Sequence, residues 1–343
     1  MVVGFPGRAH RREESKCAER GTAMVRLKTV ASALGSLGDI NKARAAFDDS
    51  SRKLADEQAF PPADIRPTAS DARTIALRVT TPDVPGSAAG YVPGSAPAEP
   101  VAAANSSLND LFALVHVPAT GDTAGFLVLN PSVEIESGRS LASLVDEGGW
   151  PVFVAIAEEV LGVRVDHVVE LSAEALGNVI DVIGPVAVYG RTPFEAEGTS
   201  FVEGTNSLDG ASAVTFASAA AVDDAGQTRT RNQRALLRAL VQALRQGGLA
   251  KDPAKLTAVL GAVSAGVRTD RGLTTIELGK FANVIRQIPQ DDVVAVTVPA
   301  TSERLEDGTV RVSFDAEALP ALRQALGGHD LKEFLRYVAS LGY

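Results

Sequence analysis

The sequence predicts an α/β sandwich, in which helices cover both faces of one central sheet. Short apolar runs of strand length alternate with segments of helical periodicity from residue 74 towards the C-terminus. Glycine and proline stand between these segments, where caps and turns belong. Hydrophobic residues make up 45 % of the 343-residue chain, which is enough for a substantial core.

The first 73 residues precede this regular pattern. Residues 1–38 predict a disordered leader; a secretory signal is the alternative, because basic residues come before a short apolar stretch rich in Ser and Gly. Residues 39–58 predict a weakly amphipathic helix, and residues 39–73 together form a predicted helix and connector. No window approaches the roughly 18 apolar residues of a membrane-spanning helix.

Residues 74–343 predict the sandwich domain, with a flexible loop at 82–107 that is rich in Pro, Gly and Ala. Ser172 predicts a helix start, and Gly162 and Gly184 predict helix ends. The predicted strands are 74–80, 111–117, 125–129, 163–171, 186–189, 293–298 and 309–314. The predicted helices are 151–161, 172–183, 230–246, 276–288, 316–326 and 330–341.

Composition and missing motifs exclude several classes of protein. The net charge of −9 argues against nucleic acid as a partner, because phosphate binding needs surplus Lys and Arg. Cys17 is the single cysteine, which excludes an intramolecular disulfide and a cysteine-built zinc site. The sequence has no nucleophile elbow, no Gly-Lys-Ser/Thr phosphate loop and no H-E-x-x-H, so hydrolase triads, nucleotide triphosphatases and zinc proteases are disfavoured.

The strongest candidate site is the start of the helix predicted at 230–246. A helix N-terminus offers free N–H groups and a partial positive charge to an anion. Arginine side chains add paired donors that match phosphate oxygens. The predicted phosphate ligands here are Arg229, Arg231, Gln233 and Arg234. The alternative is that Arg231, Arg234, Arg238 and Arg245, which share one face of the helix, are simply solvated.

Two carboxylates precede this helix. Asp223 and Asp224 lie in a Gly-containing loop, where a carboxylate could hold Mg²⁺ against a bound phosphate. Adjacent acidic residues in such a loop are otherwise ordinary solvent-facing turn residues.

Seven short motifs, found in one order across roughly residues 74–326, indicate a family. They are Asn109-Asp110, Asp146–Gly149, Leu161–Val169, Val179–Val186, Ser207–Ala213, Arg229–Gln233 and Val296–Pro299. Together they resemble the LytR-CpsA-Psr proteins of bacterial cell-envelope assembly.

The resemblance implies both a fold and an activity. It implies an α-β-α sandwich around one mixed sheet, with a hydrophobic lipid tunnel that we expect to be lined from the helices at 151–161, 172–183 and 255–265. It implies a phosphotransferase that moves a glycopolymer, with its phosphate, from a polyprenyl-pyrophosphate carrier onto peptidoglycan. Arginines and Mg²⁺ would hold the pyrophosphate, and the protein would lie in the extracytoplasmic cell envelope.

The family's site residues transfer to this chain only in part. Asp110 matches an acidic residue near the metal, and Arg229 and Gln233 match the first arginine and the glutamine of the family's arginine motif. We therefore predict Asp110 and Arg229 as catalytic, and Asp110 and Asp224 as metal ligands. Arg139 is predicted as a further phosphate ligand, because it stands beside the position of the family's lysine.

Other expected charges are absent from the sequence. Asn232 replaces the second arginine of the motif, and Leu129–Val133 lacks the arginine-aspartate pair expected after the proline. The segment Thr215–Ala220 lacks a tyrosine and two arginines. Each lost charged donor typically costs about 2–4 kcal/mol of transition-state stabilisation.

Two functions therefore stay open, and a third is disfavoured. The chain is either an active glycopolymer transferase with a rearranged site, or a degenerate member that binds the polyprenyl-linked glycan or assists an active paralogue. The missing arginine-aspartate pair favours the second. A transcriptional regulator is disfavoured, because an acidic chain without a recognition helix is poorly suited to DNA.

Overall fold

The computed structural model describes residues 38–42, 44–49, 53–81, 106–219, 225–247, 252–328 and 330–341. The predicted leader and the predicted loop at 82–107 fall outside these ranges, apart from residues 38 and 106–107. Within the described ranges, no helix is both long enough and apolar enough to cross a membrane.

The described chain alternates strands and helices in the predicted manner. The strands are β1 (Lys53–Leu54), β2 (Arg73–Thr80), β3 (Leu111–Val117), β4 (Ala124–Leu129), β5 (Glu134–Glu136), β6 (Arg139–Ser140), β7 (His167–Ser172), β8 (Val186–Gly190), β9 (Phe194–Ala196), β10 (Thr199–Phe201), β11 (Gly204–Leu208), β12 (Val267–Asp270), β13 (Val293–Thr297), β14 (Ala300–Arg304) and β15 (Val310–Phe314). The helices are α1 (Asp56–Ala59), α2 (Leu141–Leu161), α3 (Ala173–Ile183), α4 (Gly210–Ser218), α5 (Gln227–Gln246), α6 (Pro253–Gly266), α7 (Thr275–Gln287), α8 (Ala318–Gly327) and α9 (Leu331–Ser340).

Seven strands form one mixed sheet in the order β1-β12-β7-β2-β3-β4-β13. The strands of the pairs β1/β12, β7/β2 and β4/β13 run parallel, and the other neighbours run antiparallel. All seven residues of β3 are buried, as an unbroken apolar run at the centre of a covered sheet requires. The predicted mixed α/β sandwich is therefore confirmed.

Two hydrophobic layers cover the opposite faces of this sheet. On one face, Phe112 and Leu114 pack with helices α2, α8 and α9. On the other face, Leu111 and Ala113 pack with α3, α4 and α5. Adjacent residues of β3 point to opposite faces, so one short strand contributes to both cores.

The expected lining of the lipid tunnel is corrected by this arrangement. The helix at 151–161 belongs to the core on one face, whereas the helix at 172–183 belongs to the core on the other, and α6 packs against the latter. The sheet separates these helices, so they cannot line one hollow. A lipid tunnel elsewhere stays a prediction.

Several predicted boundaries also differ from the structure. The helix predicted to start at Pro151 begins at Leu141 and has a break at Gly149, whose φ of 64° and ψ of −149° are not helical. Ser140 caps its start and Gly162, with φ 69°, ends it as predicted. The strand predicted at 163–171 begins only at His167. The single helix predicted at 39–58 is interrupted by β1.

Candidate functional site

A basic cleft lies where the start of α5 meets the carboxyl ends of β4 and β13. Because these strands are parallel, their carboxyl ends lie at the same edge of the sheet, where open α/β folds commonly bind ligands. The cleft encloses about 200 Å³. Its lining residues are Asn130, Arg191, Gln227, Thr230, Arg231, Arg234, Thr297, Ala300, Val312 and Leu341.

Asn130 fastens the end of β4 to the turn before α5. Its side-chain amide donates to the Ala225 carbonyl at 3.1 Å, and its Oδ1 accepts the Ser132 N–H at 2.9 Å. Gly226 caps α5 with φ 77°, and a Cβ there would come within 3.4 Å of Asn130 and Ser132. The hydrogen bond from Asn130 to Ala225 holds the start of α5 against the end of β4.

Arg231, Arg234 and Arg191 bring positive charge to the cleft. Arg231 and Arg234 come from neighbouring turns of α5, and Arg191 follows β8. The Arg231 guanidinium donates to the Thr228 hydroxyl at 2.7 Å, and Arg234 donates to the Thr297 hydroxyl at 3.3 Å. Both of these acceptors are neutral hydroxyl oxygens.

The arginines also repel one another. Burial, together with the positive charges of Arg238, Arg231 and Arg191, lowers the pKa of Arg234 to about 10. A bound anion would relieve this repulsion, because it would place negative charge among the guanidinium groups.

Arg229 and Gln233 face away from the cleft, into the fold. Arg229 is 6 % exposed, and its guanidinium donates to the carbonyls of Ser218 and Leu108 at 3.0 and 2.7 Å. The Gln233 amide lies 3.3 Å from the Asp110 carbonyl. These two side chains fasten α5 to the loop before β3, so the predicted phosphate ligands fall into two groups.

Asp110 lies at the centre of a buried polar network. Its side chain is 2 % exposed, and its Oδ2 lies 2.7 Å from both Nε and Nη2 of Arg78. Its Oδ1 accepts the Thr81 N–H at 2.8 Å and the Thr81 hydroxyl at 3.2 Å. Burial raises the pKa of Asp110 above its ordinary value, and the Arg78 charge and the Thr81 hydrogen bonds offset part of that effect.

The network continues to the surface through Ser107. The Ser107 hydroxyl accepts from Arg78 Nη2 at 2.6 Å and donates to the carboxylate of Asp146, which is exposed on α2. The network therefore joins β2, the turn at 106–109 and α2.

The predicted magnesium ion does not fit Asp110 in this arrangement. A carboxylate offers about four lone-pair sites, and four donor atoms already surround the two oxygens of Asp110. Among the described residues, no group of three or more His, Cys, Asp or Glu is placed to hold a metal ion. Asp224, the other predicted ligand, lies outside the described residues.

Arg139 lies in a different environment from the cleft. It forms exposed ion pairs with Glu136, at 2.9 Å, and with Glu147. Both partners supply the negative charge that a phosphate would otherwise provide, and Arg139 is not among the residues that line the cleft.

Sequence reasoning missed Arg191, Asn130 and Arg78. Arg191 is a single arginine in a turn and carries no sequence signal. Arg78 does carry one, because it stands between the apolar residues Leu77 and Val79 inside a strand, where a charged side chain needs a partner.

Comparisons with known proteins identify the same family that the order of the motifs indicates. The model of the LytR_cpsA_psr family matches residues 127–327, which is more than half of the chain. No curated protein matches the chain at a significant level.

Solved structures share the fold at low sequence identity. The LytR-Csp2A-Psr enzyme from Actinomyces oris has a TM-score of 0.57 and 17 % identity, covering 79 % of this chain and 97 % of that one. TagV from B. subtilis has a TM-score of 0.54 and 16 % identity, covering 77 % and 98 %. The structure of TagT bound to LI-WTA has a TM-score of 0.55 and 15 % identity, covering 83 % and 99 %.

Proposed function

The chain belongs to the LytR-CpsA-Psr family, and from that membership we propose that it binds the phosphorylated head of a polyprenyl-linked cell-wall glycan in the basic cleft. The observation that carries the proposal is the grouping of Arg191, Arg231 and Arg234 at the carboxyl ends of two parallel strands. The family's relation to cell-wall glycopolymers, including a neighbour complexed with a wall teichoic acid, supports this ligand class.

Guanidinium groups suit this ligand because they pair with two phosphate oxygens at once. The start of α5 adds backbone donors and a partial positive charge on the same side. A pyrophosphate carries several negative charges, and a cleft that desolvates it must supply partners for each.

The main activity in this proposal is binding of the phosphorylated lipid head, without transfer of the glycan. The two residues predicted as catalytic are both engaged in internal contacts, Asp110 with Arg78 and Thr81, and Arg229 with backbone carbonyls. Phosphoryl transfer depends mostly on positioning and charge neutralisation at the reacting group, for which these side chains would have to be released.

Transfer of the glycan to peptidoglycan is the second candidate. Family membership over residues 127–327 favours it, because this is a family of cell-wall glycopolymer transferases. Both candidates place the protein in the cell envelope, the location associated with the family.

Binding and transfer can be separated in one experiment. A short-chain polyprenyl pyrophosphate in detergent micelles, with Mg²⁺ present, is incubated with the protein while lipid retention and phosphate release are both followed. We expect retention without release. Release above the rate of a protein-free control would show that the protein cleaves the P–O–P bond that transfer must break, with water as the acceptor, and would contradict binding alone.

Matched variants test the cleft itself. Arg231→Gln and Arg234→Gln each remove a charged donor worth about 1.5–3 kcal/mol, so lipid affinity is expected to fall about 10- to 100-fold. Arg268→Gln is the control, because Arg268 lies on β12, five strand positions from β13 and about 24 Å away. Unchanged retention in both cleft variants would contradict the proposal.

A further inference from the structure

The guanidinium of Arg78, which is mostly buried, lies beside Asp110 in the place where a metal ion would be expected. Arg78 is 15 % exposed, and its head group contacts Oδ2 of Asp110 and the hydroxyl of Ser107. Ser107 is fully buried and binds Asp146 on its other side. Arg78 also lies over the ring of Phe112, 5.5 Å from its centroid, which fixes the guanidinium from below.

The groups around Arg78 are those that a hard divalent cation prefers. The carboxylates of Asp110 and Asp146 and the hydroxyl of Ser107 offer only oxygen atoms, and such ligands suit Mg²⁺ or Mn²⁺. They come from three separate elements, the residue before β3, the turn at 106–109 and α2. The head group of Arg78 contacts Asp110 and Ser107, and Ser107 links it to Asp146.

Exchange of this guanidinium for a metal would be costly. Magnesium needs near-octahedral coordination at about 2.0–2.1 Å and gives up its water reluctantly. The displaced Arg78 would lose its ion pair with Asp110 inside the fold, and an unpaired buried charge is strongly destabilising.

The same network supports the helix of the basic cleft. Arg229 and Gln233 of α5 bind the carbonyls of Leu108 and Asp110, which belong to the loop that Arg78 holds. Arg78 therefore positions the loop against which the cleft is assembled, without touching the cleft.

We infer that Arg78 is a built-in counter-ion at a position otherwise suited to a divalent metal, so that removing it creates a metal site. Anion binding by the wild-type protein accordingly needs no divalent metal at Asp110. This inference concerns Asp110 and does not depend on the identity of the ligand in the basic cleft.

Manganese binding, followed by electron paramagnetic resonance, tests the inference. The full chain and the Arg78→Ala variant are titrated with Mn²⁺, and affinity is expected to rise at least about tenfold in the variant, equivalent to about 1.4 kcal/mol. Adding Asp110→Asn to Arg78→Ala should abolish the gain. Arg73→Ala removes the same charge from an exposed position on the same strand and should gain nothing.

Two results would overturn the inference. One is a folded Arg78→Ala variant, judged by circular dichroism, that gains no Mn²⁺ affinity. The other is Mn²⁺ binding by the wild-type protein that disappears with Asp110→Asn alone, and this measurement decides the matter even if Arg78→Ala does not fold. We expect the wild-type protein to bind inorganic pyrophosphate equally well with and without EDTA. Binding that is lost both in EDTA and in the Asp110→Asn variant would overturn the independence from a metal at Asp110.

Discussion

Acidification should destabilise this protein through His116. This histidine is fully buried in β3, and its Nδ1 lies 2.9 Å from the Thr74 hydroxyl on the neighbouring strand. Burial lowers the pKa of His116 to about 4 from 6.5. Between these two pH values the unfolded chain binds a proton that the folded chain does not, so stability falls as the pH falls.

The size of the effect follows from the difference in pKa. A shift of about 2.5 units corresponds to about 3 kcal/mol, at 1.36 kcal/mol per unit. About 2 kcal/mol of that should be lost by pH 5, and the whole by about pH 4. Above about pH 7.5 the histidine is neutral in both states and contributes almost no pH dependence.

Urea denaturation of the wild type and of His116→Asn measures this directly. Asparagine preserves a polar atom near the position of Nδ1 and does not titrate in this range. Asp110 and Asp166, whose pKa values burial raises, are present in both proteins, so their contributions cancel in the difference. Parallel pH profiles for the two proteins between pH 7 and 5 would refute the reasoning.

Two further predictions concern stability. Gly149→Ala should lower the free energy of unfolding by about 1–3 kcal/mol, because the backbone conformation of Gly149 is open only to glycine. Gly279→Ala is the matched control: Gly279 lies in a helix with open space around it, so this variant should raise the melting temperature. Glu158→Gln should cost about 3–5 kcal/mol in a urea titration, because it leaves the charge of the buried Arg66 guanidinium without the carboxylate that balances it. Glu136→Gln breaks an exposed pair and should change stability by less than about 1 kcal/mol. Equal losses for the two glutamate variants would contradict the burial argument.

The sequence predicted the elements whose signals are local. The strand at 111–117 is an apolar run, and the helix at 227–246 carries a regular apolar stripe, so both were found to within about three residues. The two-residue strand β1 and the four-residue strand β12 were missed, because such short strands exist only through pairing across the sheet. Proline is common at the first residue of a helix, so Pro151 predicts the start of α2. The part of α2 that precedes the break at Gly149 was therefore not predicted.

The buried ion pair of Arg78 and Asp110 could be found only from the pairing of strands. The two residues are 32 positions apart, and the segment 82–105 between them contributes no signal. The register of β2 with β3 places Arg78 opposite Phe112, two residues beyond Asp110. Sequence alone showed a charged residue in a strand and a carboxylate before another, but not that they meet.

The division of the arginine motif between two faces, in contrast, follows from helix geometry. Residues advance by about 100° each, so Gln233 lies about 40° from Arg229, whereas Arg231 lies about 160° from it. One helix cannot direct all of these side chains at a single phosphate. In the structure Arg229 and Gln233 bind backbone carbonyls of the fold, while Arg231 and Arg234 line the cleft. The residues that match the family motif thus fasten the helix in place, and α5 brings positive charge to the cleft through Arg231 and Arg234.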